Sequence, residues 1–148
     1  MAVISDARVF LDSNILIYLL SADARRADIA EVLLKGKPFI SVQVLNEVTN
    51  VCVRKLKRQW EETNEFLAMV RMFCRVVPLT VDVHDKARQL AERYQMSFYD
   101  ACIAASALAV DCQILYTEDM QADMSIDQRL TLINPFTQQR SRLAEPGF

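Results

Sequence analysis

Four acidic side chains stand at points in the chain that acids usually avoid: Asp12, Glu47, Asp100 and Asp119. Asp12 directly follows the apolar run Val9-Phe10-Leu11, and apolar residues resume at helical spacing with Ile15, Leu16 and Tyr18. That pattern puts it where a buried strand turns into a helix, at the strand's carboxyl end. In open α/β sheets this edge is where ligands bind. Asp119 ends a second apolar strand through Thr117-Glu118-Asp119. Asp100 shares a stripe with Ile103, Ala104 and Ala107 in the first turn of an alanine-rich helix. Glu47 has Val44, Asn50 and Val51 three and four residues away, a largely apolar helix face.

Each acid taken singly has an ordinary structural explanation. Asp12 or Ser13 can cap a helix, and Ser97-Phe98-Tyr99-Asp100 fits a capping box. Glu47 can meet a basic residue at the edge of its face. Asp119 can sit in a solvated turn, where Glu118 competes for any role it has. Jointly they share a geometry. If the strands before Asp12 and Asp119 are neighbours, three carboxylates meet at one edge and Glu47 reaches in from a flanking helix. Such a group raises its own pKa values unless a cation sits within it. Oxygen-only sites of several carboxylates suit Mg²⁺ or Mn²⁺ rather than zinc. Acids with these ions are equipped for phosphodiester cleavage, where the metal activates water and neutralises the leaving oxygen.

The elements that would position these acids are legible in outline. Asp23 caps a helix over Ala24–Lys35, with Ile29, Val32 and Leu33 inward, and Gly36 ends it. Pro38-Phe39-Ile40 reads as a strand. Ser41 then caps a helix over Val42–Lys57 with Val44, Val48, Val51, Cys52 and Leu56 at helical spacing. A further helix follows Trp60, with Phe66, Leu67, Val70, Phe73 and Cys74 as its stripe. Val76-Val77-Pro78-Leu79 reads as a strand that its proline either places at an edge or stops. Thr80 or Asp82 opens a helix carrying Val83, Ala87, Leu90, Ala91 and Tyr94. Ser97 opens the alanine-rich one, which runs to about Val110. Strands over 112–117 and 130–133 complete the pattern. Strands separated by helices imply right-handed crossovers and a mostly parallel sheet covered on both faces.

With 148 residues, 52% hydrophobic and 24% charged, the chain has the profile of one ordinary globular domain. Residues 1–136 form it in this reading, and the polar 137–148 a loose tail. The net charge of −2 gives no global pull toward a polyanion, so any nucleic-acid contact needs a local basic patch. Arg54, Lys55, Lys57 and Arg58, with Trp60 behind them, form the one dense basic run. They can hold a phosphate backbone or simply face water at a helix C-terminus, and the sequence leaves the two readings level. Cys52, Cys74, Cys102 and Cys112 lack C-x-x-C spacing and read as small core residues of a reducing cytoplasm. No signal-peptide pattern opens the chain, and its most apolar window is broken by Asp100, Asp111 and Gln113, so a cytoplasmic, membrane-free protein is expected.

Several chemistries drop out. The single histidine, His84, lies on a charged helix face, which excludes a two-histidine ribonuclease. Neither a phosphate-binding G-x-x-x-x-G-K-[ST] loop nor a G-x-S-x-G elbow occurs. A phospho-acceptor receiver would need a lysine near its last strands, and Leu130–Pro135 has none.

The ordered set of motifs resembles the PIN-domain family. Val9-Phe10-Leu11-Asp12-Ser13-Asn14-Ile15-Leu16-Ile17-Tyr18 is similar to its opening motif, and Ser41-Val42-Gln43-Val44-Leu45-Asn46-Glu47-Val48 to its second. Phe98-Tyr99-Asp100-Ala101-Cys102-Ile103-Ala104-Ala105-Ser106-Ala107 and Leu115-Tyr116-Thr117-Glu118-Asp119-Met120 resemble the third and fourth. The length and scarcity of additions are similar to VapC-type toxins of bacterial toxin–antitoxin pairs. The resemblance implies a three-layer α/β/α sandwich and a Mg²⁺- or Mn²⁺-dependent endoribonuclease, usually homodimeric and inhibited by a small antitoxin. It implies metal binding by Asp12, Glu47, Asp100 and Asp119, directly or through water, with Ser13, Asn14 and Thr117 orienting water or carboxylates. The implied chemistry is in-line attack by metal-activated water, leaving a 5′-phosphate and a 3′-hydroxyl. A non-catalytic RNA- or protein-binding module on the same fold is the alternative. Relatives commonly carry glycine in the loop after the fourth acid, where this chain reads Gln121-Ala122-Asp123-Met124-Ser125. Whether Asp119 or Glu118 faces inward therefore stays open at this level.

Overall fold

A computed structural model describes residues 7–137. The chain runs β1 (Val9–Leu11), α1 (Ser13–Ile17), a 3₁₀ turn (Tyr18–Leu20), α2 (Ala24–Lys35), β2 (Phe39–Ser41) and α3 (Val42–Asn50). A π turn (Val51–Lys55) extends α3, and α4 (Trp60–Phe73), β3 (Arg75–Val77), α5 (Val81–Tyr94) and α6 (Phe98–Ala109) follow. The strands β4 (Ile114–Tyr116), β5 (Ser125–Ile126) and β6 (Leu130–Ile133) close the described part. The tail expected over 137–148 lies outside the described residues, apart from Thr137.

The sheet has the order β3-β2-β1-β4-β6-β5, parallel throughout except for the antiparallel β5–β6 pair. Together with the surrounding helices it makes a three-layer α/β/α sandwich. The sheet grows outward on one side through β1, β2 and β3, then the chain crosses back to lay β4 against the other side of β1. The switch point of the topology thus falls between β1 and β4, where their carboxyl ends leave a crevice.

Register explains how rigidly that crevice is framed. Phe39, Phe10, Leu115 and Leu132 pair in sequence across four neighbouring strands, and each is buried. Each such side chain contributes about 1.5–3 kcal/mol on burial. One residue further, Leu11 pairs with Tyr116 and Tyr116 with Ile133. One more step places Asp12 beside Thr117: Asp12 N donates to Tyr116 O (3.0 Å), and Thr117 N donates to Ile133 O (2.9 Å). The helix starts are fixed by side-chain caps at Asp12, Asp23, Ser41, Thr80 and Ser97. α6 is buried from Ala101 through Leu108, its alanines allowing close packing.

Four local expectations need correcting. Val32 is 67% exposed, because α2 turns Ala30 and Leu34 inward instead. The helix expected over Val42–Lys57 widens at Val51, where Leu56 N donates to Val51 O (2.9 Å), five residues back. The wider turn rotates Leu56 off the apolar stripe and leaves it exposed, with Cys52 still buried. Phe73, at the end of α4, is also exposed. The strand β5 carries no sequence signal: it is two residues long. Its hairpin turn puts Asp127 and Gln128 at φ 52° and 57° without the glycine such turns favour. The proline-marked strand both lies at the sheet edge and stops at Val77, just before Pro78.

Among the described residues no helix is long and apolar enough to cross a membrane. The four cysteines are unpaired and buried, and burial pushes the Cys74 and Cys112 thiols up to about 12, which keeps them inert.

Candidate active site

Asp12 leaves β1 in an extended conformation and caps α1 with its own side chain. Its Oδ1 accepts from Ser13 N (2.6 Å), and its Oδ2 from Thr117 Oγ1 (2.7 Å) and Asn14 Nδ2 (3.4 Å). The residue is 3% exposed. Burial pushes its pKa up to about 6, helped by the charges of Glu47 and Asp100, while the Thr117 and Ser13 hydrogen bonds pull it back.

Glu47 projects from α3 and is held at both oxygens. Oε1 accepts from Ser13 Oγ (2.7 Å), and Oε2 from Gln43 Nε2 (3.1 Å). The Ser13 hydroxyl has one proton; its contact to Asp12 is longer at 3.4 Å, so the proton belongs to Glu47. Asp100 opens α6, its backbone N–H donating to Ser97 Oγ (3.2 Å). Burial raises its pKa and the charges of Glu47 and Asp119 add to this, against a hydrogen bond with Ser97. Asp119 is exposed and lines a cleft together with Asp100.

Neighbouring acids in sequence part ways here. Glu118 turns to α2, where Arg26 Nε and Nη2 donate to its Oε2 (3.0 and 2.9 Å) and the Tyr18 hydroxyl donates to its Oε1. That leaves Asp119 as the acid beside Asp100. Asn14 ties the strand ends together: its Nδ2 faces Asp12, and its Oδ1 accepts from Glu118 N (3.3 Å). Thr117 does the same, since its hydroxyl also accepts from Met120 N (3.3 Å).

The structure therefore gathers Asp12, Glu47, Ser13, Asn14 and Thr117 in one hydrogen-bonded group, with Asp100 near enough to shift Asp12 and Asp119 near enough to shift Asp100. Among the described residues none of the four acids has a lysine or arginine partner. Hard oxygen donors with unbalanced charge fit Mg²⁺ or Mn²⁺. No three acidic, histidine or cysteine side chains among the described residues are clustered tightly enough to ligate one ion together.

Other candidates lie elsewhere. His84 is exposed, with its ring edge-on to Phe98 at 5.3 Å. Arg54, Lys55 and Lys57 are exposed and Arg58 half-buried, none with an acidic partner among the described residues, and Trp60 is 60% exposed beside them. They begin seven residues beyond Glu47, roughly 10 Å along a helix axis. Two residues escaped the sequence argument. Gln43 was readable, because it precedes Glu47 by one helical turn. Arg26, which takes Glu118 away, was not, since 92 residues separate the pair.

Acids at the carboxyl edge of a parallel sheet, on either side of its switch point, mark an α/β protein built to bind a ligand there. The PIN domain family model matches residues 9–124, and the chain belongs to that family. A toxin–antitoxin complex from Klebsiella pneumoniae is similar at 21% identity and TM-score 0.65, over 86% of this chain and 97% of that one. VapC20 of Mycobacterium tuberculosis, described as a sarcin–ricin loop cleaving toxin, is 25% identical, with TM-score 0.60 over 75% and 89% of the two chains. VapBC2 from Rickettsia felis, bound to a DNA fragment of its promoter, is 20% identical, with TM-score 0.59 over 84% and 96%. No curated protein sequence matches the chain significantly.

Proposed function

We propose that this chain is a Mg²⁺- or Mn²⁺-dependent endoribonuclease, the toxin of a type II toxin–antitoxin pair. The observation that carries the reading is uncompensated charge. Among the described residues Asp12, Glu47, Asp100 and Asp119 have no basic partner, whereas Glu118, adjacent in sequence to Asp119, is clasped by Arg26. Membership of the PIN family and the likeness to a VapC protein described as a sarcin–ricin loop cleaving toxin support it.

In this reading Asp12, Asp100, Glu47 and Asp119 hold the cation, directly or through water. The cation supplies positive charge at the scissile phosphate and makes water easier to deprotonate. Thr117, Ser13 and Asn14 fix the Asp12 carboxylate so that its oxygens need not reorganise. Ser13 and Gln43 do the same for Glu47. A water oxygen bonds to phosphorus as the bond to the 3′ oxygen breaks, leaving a 5′-phosphate and a 3′-hydroxyl. Arg54, Lys55, Lys57 and Arg58 hold the RNA backbone, with Trp60 beside them for stacking. A small antitoxin restrains the enzyme, which acts as a homodimer in the cytoplasm.

The competing reading, a PIN-fold module that binds RNA or protein without cutting, draws on the loose spacing of the acids. Cleavage of structured RNA by purified, antitoxin-free protein separates the two. Cutting is expected with Mg²⁺ or Mn²⁺, none with a chelator, and a loss of more than about a hundredfold in Asp12→Asn and Asp100→Asn, exceeding the usual cost of removing a residue that only orients a ligand. Undiminished cutting by both variants removes the proposed site.

A further inference from the structure

Beside Asp100 and Asp119 lies a cleft of about 220 Å³, formed between the turn from α5 to α6 and the loop after β4. Buried Met120 and Leu132 and half-buried Met96 and Met124 supply its apolar part, while polar atoms make up most of the surface it exposes. The described lining contains two carboxylates and no lysine or arginine. The side chains of Gln95 and Gln121, both exposed, offer amide donors and acceptors.

The two sides of this cleft are pinned to the same support. Tyr94, which lines it, donates its hydroxyl to Asp127 Oδ1 (3.1 Å) and accepts from Asp127 N (2.8 Å). Asp127 in turn receives Lys86 Nζ (2.8 Å) and Arg93 Nη1 (2.8 Å), both from α5. Because Asp127 lies in the β5–β6 hairpin, the end of α5 is locked to the strand pair whose Leu132 lines the cleft. A cavity held open in this way binds without first having to be ordered.

We infer that this cleft takes one unpaired nucleobase of the RNA strand being cut. The inference rests on the ribonuclease reading and deepens it. An uncharged, flat, polarisable ring suits methionine walls and the Tyr94 ring, and its hydrogen-bonding edge suits carboxamides. The volume admits a single ring system, and position beside Asp100 and Asp119 makes it the base of a nucleotide flanking the cut. RNA is read in this manner where bases are splayed out of loops and single strands. One base of the strand leaves its neighbours to enter the cleft.

The test uses short single-stranded RNAs in which 2-aminopurine is walked one position at a time, titrated with the full chain carrying Asp12→Asn so that binding is read without cleavage. One position is expected to change its fluorescence on binding, and Met96→Ala with Met124→Ala added to that chain should abolish the change. In a parallel series with wild-type protein, an abasic residue at that same position should lower kcat/KM about tenfold, and the loss should vanish in the chain carrying the two methionine substitutions alone. Uniform fluorescence at every position, or a response that survives loss of both methionines, overturns the base pocket. Failure of wild-type protein to cut any RNA would instead overturn the ribonuclease reading, and the fluorescence series would still decide whether a base enters.

Discussion

Asp12 and Asp127 are both shielded carboxylates next to strands of one sheet, yet their surroundings are opposite. Asp127 is surrounded by Lys86, Arg93 and the Tyr94 hydroxyl, and hydrogen bonds from Lys86 and Tyr94 hold its pKa below the usual range. Asp12 has only neutral donors and further acids around it, and burial drives its pKa the other way, to about 6. An acid supplied with cations of its own is finished as a structural element. An acid buried without them costs stability, and that cost is sensible where a ligand brings the missing charge. The contrast is sharper still between Glu118 and Asp119, which share a turn but not a fate.

The largest effect expected on the fold comes from removing the uncompensated charge. A carboxyl whose pKa rises from 3.8 unfolded to about 6 folded favours the fold below pH 3.8, and that contribution is lost as pH climbs through 6. Asp12→Asn should therefore stabilise the metal-free protein at pH 7 by something of the order of 3 kcal/mol, and by almost nothing at pH 4. Thermal melts across that range in chelator check it. Adding Mn²⁺ should raise the melting temperature of wild type and not of the variant. A variant whose stability relative to wild type does not rise between pH 4 and pH 7 would break the comparison, because it would show the charge to be compensated after all.

Asp127→Ala should do the reverse. Its lowered pKa means stability that is present above pH 3.8 and lost as pH falls through the folded value. Truncation removes hydrogen bonds whose partners are partly exposed, so a cost of about 1–2 kcal/mol at pH 7 is expected, shrinking in acid. Melts of the two variants against pH should thus slope in opposite directions.

How much of this was legible in the chain follows from the range of the interactions involved. Caps act within three residues, so Asp23, Ser41, Thr80 and Ser97 announced their helices, and the alternation of apolar runs and stripes announced the sheet. The pairing of β1 with β4 was only conditional, yet the acids gain a common crevice once those strands touch. What stayed hidden depends on contacts between remote segments. Glu118 and Asp119 are indistinguishable until Arg26 arrives from α2, and the cleft between Asp119 and α6 requires Tyr94 to find Asp127 across 33 residues. The π turn at Val51 was hidden for a different reason: its hydrogen bonds shift by a single residue, which leaves the helical stripe intact as far as Cys52.

The basic run offers a milder test of which charges serve a ligand. Arg54, Lys55, Lys57 and Arg58 lack acidic partners among the described residues, as the four acids lack basic ones. If they contact RNA phosphates, alanine at Lys57 or Arg58 should weaken RNA binding several-fold in low salt. Each should also reduce the slope of log K against log salt by about 0.7, the value for one single-strand phosphate contact. An unchanged slope would assign the run to solvent.

The smallest effect belongs to Glu118. Glu118→Gln keeps an oxygen for Tyr18 or Arg26 and removes only the charge that Arg26 neutralises, across a pair that is partly open to water. Pairs of this kind contribute little, so cleavage should stay within about fivefold of wild type and the melt should barely move. Asp119→Asn, one residue along, should lose far more activity and no stability. Equal losses in the two variants would mean that Arg26 does not hold Glu118 away in solution, and the division of labour between these adjacent acids would fail at the place where it is most finely drawn.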